Sequence, residues 1–305
     1  MRVGLALGGG GAKGFSHLGV IEVLEKERIP IDIIGGTSMG AVIGALYALY
    51  ADAAKIESIA REFNNKSIVA ELEEKFSPHR EEKNNAPSPL KKTISFIKDI
   101  YTWNLKAVRK WLVDHRPFEV LFKEVFDDYC FSDCRLPFVC TAVDIVKGEE
   151  VDFQEGLLYK ALLASSALPG VFPPLKIEEK ILVDGGVIAS IPTEAVAQRG
   201  ADFIMGVSLE SKKLHTNLAT SADILMSVDE IRHKKIVEYC LRKADFLIEP
   251  DISRYSWADF SKISEIIDKG KEEAEKKIPS LRKLLRQRKF FFWGRDLFRK
   301  RHILA

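Results

Sequence analysis

Short apolar runs alternate along this chain with longer stretches in which apolar residues recur every three or four positions. That alternation predicts buried strands joined by helices. Residues 3–7 read as the first strand and feed a run of glycines over 8–14. Leu18, Ile21 and Leu24 then mark the inner face of a helix, with Glu22, Glu25, Lys26 and Glu27 on its solvated side. Pro30 breaks the chain ahead of a second strand (Ile31, Ile33, Ile34), a glycine corner and an almost uncharged helix ending near Tyr50. Strand, helix, strand and helix in that order imply a parallel sheet with right-handed crossovers.

Residues 52–128 have a different texture. They are charge-rich and predicted to be largely helical, with a break at Asn84-Asn85-Ala86-Pro87-Ser88-Pro89. One apolar stripe comprises Trp103, Leu105, Val108, Trp111 and Leu112, and another Phe118, Leu121, Phe122, Val125 and Phe126. Either the stripes pack helices onto the sheet or they cap a binding site as a lid. From 136 the strand pattern returns, with strands over 138–143, 151–153, 181–184, 203–207 and around 246–248. Helices are expected after Ile191-Pro192 and over roughly 222–241. The organisation predicted is a main domain over 1–250, carrying the 52–128 insertion, and a helical extension over 251–305.

Two glycine motifs carry the candidate chemistry. Gly36-Thr37-Ser38-Met39-Gly40 is a Gly-x-Ser-x-Gly corner between a strand and a helix, the nucleophile-elbow pattern. Gly36 and Gly40 are needed where a Cβ would clash as the helix folds back on the strand. The helix N-terminus behind Ser38 favours developing negative charge. Upstream, Gly9, Gly11 and Gly14 match the dinucleotide-binding spacing. The acidic residue that motif requires after the second strand is missing, because Gly35-Gly36-Thr37-Ser38 occupies the place and Asp32 lies at the other end. A phosphate-binding P-loop also fails, since Gly14, not Ser or Thr, follows Lys13. Successive glycine N–H groups at a helix start suit an oxyanion instead.

Leu5-Ala6-Leu7-Gly8-Gly9-Gly10-Gly11-Ala12-Lys13-Gly14 followed by Gly36-Thr37-Ser38-Met39-Gly40 resembles the patatin-like phospholipase family in its bacterial form. The resemblance implies a three-layer α/β/α fold related to the α/β-hydrolases, with a mostly parallel central sheet. It also implies hydrolysis of phospholipid or lysophospholipid acyl esters by a Ser–Asp dyad, without metal or cofactor. Carried onto this chain, Ser38 is the nucleophile and Asp184, in Val183-Asp184-Gly185-Gly186, the general base. Gly9, Gly10, Gly11 and Gly14 build the oxyanion hole, and Gly36 and Gly40 the elbow. The segment Ala164-Ser165-Ser166-Ala167-Leu168-Pro169-Gly170-Val171-Phe172-Pro173-Pro174 is similar to another stretch of the family. Physically it is a helix end locked by prolines, with Ser165 and Ser166 as terminal hydrogen-bonding residues.

A carboxylate with an ordinary pKa near ~3.9 is a weak base, and partial burial beside the serine would strengthen it. The alternative is a full triad, for which His215, His233 and His302 follow Asp184 in order. His215, in a loop after a strand, is the candidate of choice. His17, Lys13 and His115 are expected to be structural or solvated.

Composition changes this picture at two points. Cys130, Cys134, Cys140 and Cys240 are too few and scattered for a disulfide scaffold and match no zinc spacing, which suggests reduced thiols. With no signal-peptide core and no apolar run long enough to span a bilayer, a cytoplasmic setting is expected. Charge is also uneven: nine Lys/Arg and one Asp fall in 281–305, so the tail carries about +8 and the body about −6. Basic residues interleaved with Phe290-Phe291-Phe292-Trp293 and Leu297-Phe298 suit peripheral contact with anionic membrane, or a terminal helix packing on the domain. No nucleic-acid motif is present. The rival functional class is a regulatory or scaffold protein with weak esterase activity, using the 52–128 region as a partner surface.

Overall fold

Alternation along the first strand sets two unequal layers in the computed structural model, which describes residues 1–76, 113–114, 116–210 and 221–301. In β1 (Val3–Leu7), Val3, Leu5 and Leu7 join the larger apolar cluster, whereas Ala6 joins a smaller one on the opposite face. The large face is covered by α1 (Ser16–Lys26), α2 (Met39–Tyr50) and the long C-terminal helix. In α2 every residue from 39 to 49 is buried, which explains a helix with no charged face. A short helix (Thr193–Gln198) covers the small face with Ala195 and Val196, against Ala6, Ile33, Val139 and Ile204.

The strands β2 (Ile33–Thr37), β3 (Phe138–Asp144), β4 (Glu149–Phe153), β5 (Leu175–Ile177), β6 (Lys180–Asp184), β7 (Phe203–Val207) and β8 (Phe246–Ile248) complete one sheet. Its order is β5-β6-β3-β2-β1-β7-β8, with β4 also paired to β3. The β3-β2-β1-β7-β8 core is parallel, while β4, β5 and β6 are antiparallel to their partners.

One edge of β3 serves two strands in succession. Ile34 to Thr37 of β2 pair with Phe138 to Thr141, and Asp184 to Leu182 of β6 then pair with Ala142 to Asp144. The end of β6 therefore meets the end of β2 head-on. Asp184 thus arrives from an antiparallel strand that continues the edge β2 vacates.

Between β2 and β3 lie α3 (Ala53–Asn64), α4 (Ser67–Phe76) and α5 (Arg116–Phe126). Asp52 caps α3 by accepting the Lys55 N–H at 2.9 Å. Residues 84–89 and the 103–112 stripe lie outside the described residues, as do His115, His215 and His302. After β4 come α6 (Leu158–Ser165), α7 (Thr193–Gln198), α8 (Ser221–Cys240) and α9 (Ile263–Arg301). The expected C-terminal extension is part of the core packing: Ile266, Ile267, Ala274, Ile278, Leu281 and Leu285 of α9 are buried. Lys271 of α9 pairs with Glu22 at 2.8 Å, so the helix face expected to be solvated is partly covered. Among the described residues no helix is long and apolar enough to cross a membrane.

Candidate active site

Ser38 sits between β2 and α2 at φ 54°, ψ −126°. A non-glycine residue there costs roughly 1–3 kcal/mol and persists only where its surroundings over-determine it. At Gly36 a Cβ would strike the backbone of Gly40 and Ala41. At Gly40 it would fall 2.6 Å from the Gly8 carbonyl oxygen. Both glycines let strand, helix and upstream loop approach closely enough to form the corner.

The Ser38 hydroxyl lies close enough to the Asp184 carboxylate to favour its charged form. Asp184 accepts the Gly186 N–H at 2.7 Å. Burial raises its pKa to about 6, opposed by the Ser38 hydroxyl, the Gly186 hydrogen bond and the nearby His233 imidazole. The two partners are 146 positions apart in sequence, and four hydrogen bonds hold them together. Thr37 Oγ1 donates to the Ala189 carbonyl at 2.7 Å and accepts from Thr141 Oγ1 at 2.7 Å, tying the elbow to the chain after Asp184. Ser165 Oγ accepts the Ser38 N–H at 2.8 Å. Two residues on, the Ala167 carbonyl accepts the Asp184 N–H at 3.0 Å. The proline-locked segment thus grips the backbones of both residues. Ser165 acts as the expected helix-terminal hydrogen-bonding residue, whereas Ser166 lines the cavity with a buried Oγ that has no protein partner.

The glycine loop lies beside Ser38, but its members differ. Gly9 spends its N–H on the Ser190 carbonyl at 3.0 Å, so it departs from the expected set of oxyanion donors. Gly14 lies within the 3-10 turn (Gly11–Phe15), packed against Met39. The Gly10 and Gly11 N–H groups, at the start of that turn, have no protein acceptor among the described residues, and both residues line the cavity. His17 is structural: fully buried, it donates from Nε2 to the Gly8 carbonyl at 2.8 Å, and burial lowers its pKa to about 4. Because a carbonyl only accepts, the hydrogen must sit on Nε2. Burial also lowers the Lys13 pKa, against the pull of Glu210 and Asp259.

Ser38 and Asp184 open into a cavity of about 680 Å³. Most of its wall is apolar, built by Val42, Phe63, Val69, Leu72, Phe118 and Phe122 together with Leu163, Phe172, Trp257 and Phe260. Phe63 stacks on Phe122 at 6.1 Å, and Phe118 meets Phe172 edge-on at 4.9 Å. The stripe on α5 is divided between inward packing and the cavity wall. Leu121 and Phe126 pack inward, while Phe118 and Phe122 line the cavity.

Of the three triad histidines considered, His233 on α8 is the one among the described residues, and it lines the cavity; the favoured His215 and His302 lie outside them. Its Nε2 pairs with Glu210 Oε2 at 2.9 Å, and that hydrogen bond raises its pKa. It influences Asp184 through space and does not stand between Asp184 and Ser38. His233→Gln is accordingly expected to reduce kcat on a short neutral ester by less than about tenfold, against about 10³–10⁴-fold for a triad imidazole. The acid limb should move to higher pH, because a cation that lowers the Asp184 pKa has gone. Steady-state kinetics across pH measure both effects.

A strained serine on a strand-to-helix corner, backed by a mostly parallel sheet with helices on both faces, defines an α/β protein of serine-hydrolase type. The model of the patatin-like phospholipases matches residues 5–197, and the chain belongs to that family. It is similar to the lysophospholipase NTE1 of Kluyveromyces lactis, with 28% identity over 294 residues covering 88% of this chain and 18% of the yeast protein. Human patatin-like phospholipase domain-containing protein 6 is 27% identical over 297 residues, covering 88% of this chain and 20% of its own. The chain thus spans about a fifth of the length of these relatives. Among solved structures, VipD from Legionella pneumophila superimposes with a TM-score of 0.50 at 15% identity, covering 92% of this chain and 67% of that one. That likeness extends to the fold.

Proposed function

We propose that this protein hydrolyses the acyl ester of a single-chain phospholipid, using Ser38 as nucleophile and Asp184 as general base. The observation that carries the proposal is that the strained Ser38 and the buried Asp184 carboxylate share the wall of one largely apolar cavity. The names of the relatives, lysophospholipase among them, support the substrate class.

As Ser38 Oγ attacks the carbonyl carbon, its proton passes to Asp184 and the carbonyl oxygen becomes an oxyanion facing the Gly10 and Gly11 N–H groups. Donors fixed in place for developing charge are worth roughly 10²–10³-fold each. Collapse expels the alcohol, which takes the proton from Asp184 and leaves Ser38 acylated. Water, deprotonated by Asp184, attacks the acyl carbon through a second oxyanion, and its collapse releases the fatty acid as Ser38 Oγ takes the proton back from Asp184. A carboxylate suffices because an alkoxide leaving group needs less help than an amine, and because burial has raised its basicity. The chain of the acyl group would lie among Phe63, Phe118, Phe122 and Leu72.

Fatty-acid release from lysophosphatidylcholine tests this reading. The base must be ionised and its pKa is about 6, so kcat/KM is expected to rise about tenfold per pH unit below that value and level off above it. A profile flat between about pH 5 and 8 would remove Asp184 from the role. The proposal extends to peripheral membrane contact through the tail, starting at Phe290, which is 80% exposed. The tail residues before it are anchored to the body: Leu281 and Leu285 are buried, Arg282 pairs with Glu27 at 2.6 Å and Arg288 pairs with Asp245.

A further inference from the structure

The cavity is chemically lopsided. Among the described residues its basic lining residues are Arg232 and His233, adjacent on α8, and Asp229 lies one turn before them on the same wall. Spacings of three and four residues put all three on one face of the helix. This face lies at the Ser38–Asp184 end, because His233 and Asp184 perturb each other electrostatically. Phe63, Phe118, Phe122, Val69 and Leu72 supply apolar wall for a chain. Glu210, from the segment after β7, holds His233 by the 2.9 Å pair and favours its charged form, leaving Arg232 beside it.

We infer that the Asp229–Arg232–His233 face is a headgroup subsite for a zwitterionic phosphodiester. Arg232 and His233 meet the phosphate and Asp229 meets the terminal ammonium. The inference rests on the proposed acyl-ester chemistry for its orientation. An acyl chain among the phenylalanines and a carbonyl at Ser38 put the rest of the glycerol ester towards α8. A guanidinium is the side chain best shaped to grip two phosphate oxygens at once. The alternation of sign along α8 matches phosphate followed by amine. Asp229, Glu210 and Asp184 together disfavour a headgroup with surplus negative charge, so phosphocholine or phosphoethanolamine is preferred over a bare phosphomonoester.

Binding to the full-length Ser38→Ala protein tests the subsite without requiring turnover. The probes are hexadecylphosphocholine, hexadecyl phosphate and 1-O-hexadecylglycerol, all below their micelle concentrations and followed by calorimetry. Adding Arg232→Gln is expected to weaken hexadecylphosphocholine by about tenfold or more, the scale of a charge-assisted hydrogen bond, while the phosphate-free glycerol ether shifts less than about twofold. Arg232→Lys should recover part of the loss. Asp229→Asn should narrow the preference for phosphocholine over hexadecyl phosphate. Equal weakening of phosphocholine and glycerol ether by Arg232→Gln would mean that Arg232 only supports the wall. No weakening of either would mean that the phosphate lies elsewhere. Either result overturns the assignment. Failure of the hydrolase reading shows separately, as no Ser38-dependent release of fatty acid from any ester.

Discussion

Asp184→Asn is expected to lower kcat by about 10³–10⁴-fold with the fold intact, and Ser38→Ala by at least as much. The amide is nearly isosteric with the carboxylate and its oxygen can still accept the Gly186 N–H, now 2.7 Å from Asp184 Oδ1. What disappears is the carboxylate that lies beside the Ser38 hydroxyl and can take its proton. Because burial makes the charged Asp184 costly, the neutral amide should melt at the same temperature as the parent or higher at pH 8. An activity loss paired with unchanged or improved thermal stability separates a chemical role from a structural one. Labelling by a fluorophosphonate supplies the second readout: absent in Ser38→Ala, and slowed in Asp184→Asn to the same degree as hydrolysis. Labelling at an undiminished rate in Asp184→Asn would show that Ser38 is activated by something else.

The second large effect concerns Gly40. A valine there puts a branched side chain into the carbonyl oxygens of Leu7 and Gly8, and backbone cannot step aside as a flexible side chain can. Overpacking of this kind costs about 3 kcal/mol, or roughly 5 °C in melting temperature for a protein of this size. The damage should also reach activity. The same contact sets the distance between the Gly10–Gly11 N–H groups and Ser38, so residual folded protein should remain deficient in kcat. A Gly40→Val protein with parental melting temperature would mean that the corner is looser than its geometry shows.

Much of this architecture was legible because glycine and apolar runs carry meaning at short range. Residues 3–7 and 36–40 are local signatures, and a single strand–corner–helix unit suffices to read an elbow at Ser38. Asp184 was legible only through resemblance, since Asp-Gly-Gly alone describes an ordinary turn. Its antiparallel approach along the vacated edge of β3 depends on a register between strands far apart in sequence, and no local pattern encodes it. The same holds for Thr37, Thr141 and Ser165, which look like interchangeable hydroxyl residues until the fold joins them to the dyad. His233 was ranked below His215 because loop position was weighed, whereas its place on the cavity wall follows from the way α8 packs. Gly9 and Gly14 matched a spacing, yet a spacing does not tell which amide is already spent. The basic tail showed an aromatic and cationic composition, but burial of Leu281 and Leu285 depends on how α9 packs against the body of the fold.

The shared edge of β3 has a temporal consequence during synthesis. The nucleophile and its glycine loop leave the ribosome early, but β1 lacks its β7 neighbour and Ser38 its proton acceptor until β6 and β7 have emerged. Pairings this distant in sequence close late and slowly. A nascent or truncated chain thus carries the strained Ser38 corner with no carboxylate beside it until the sheet is whole.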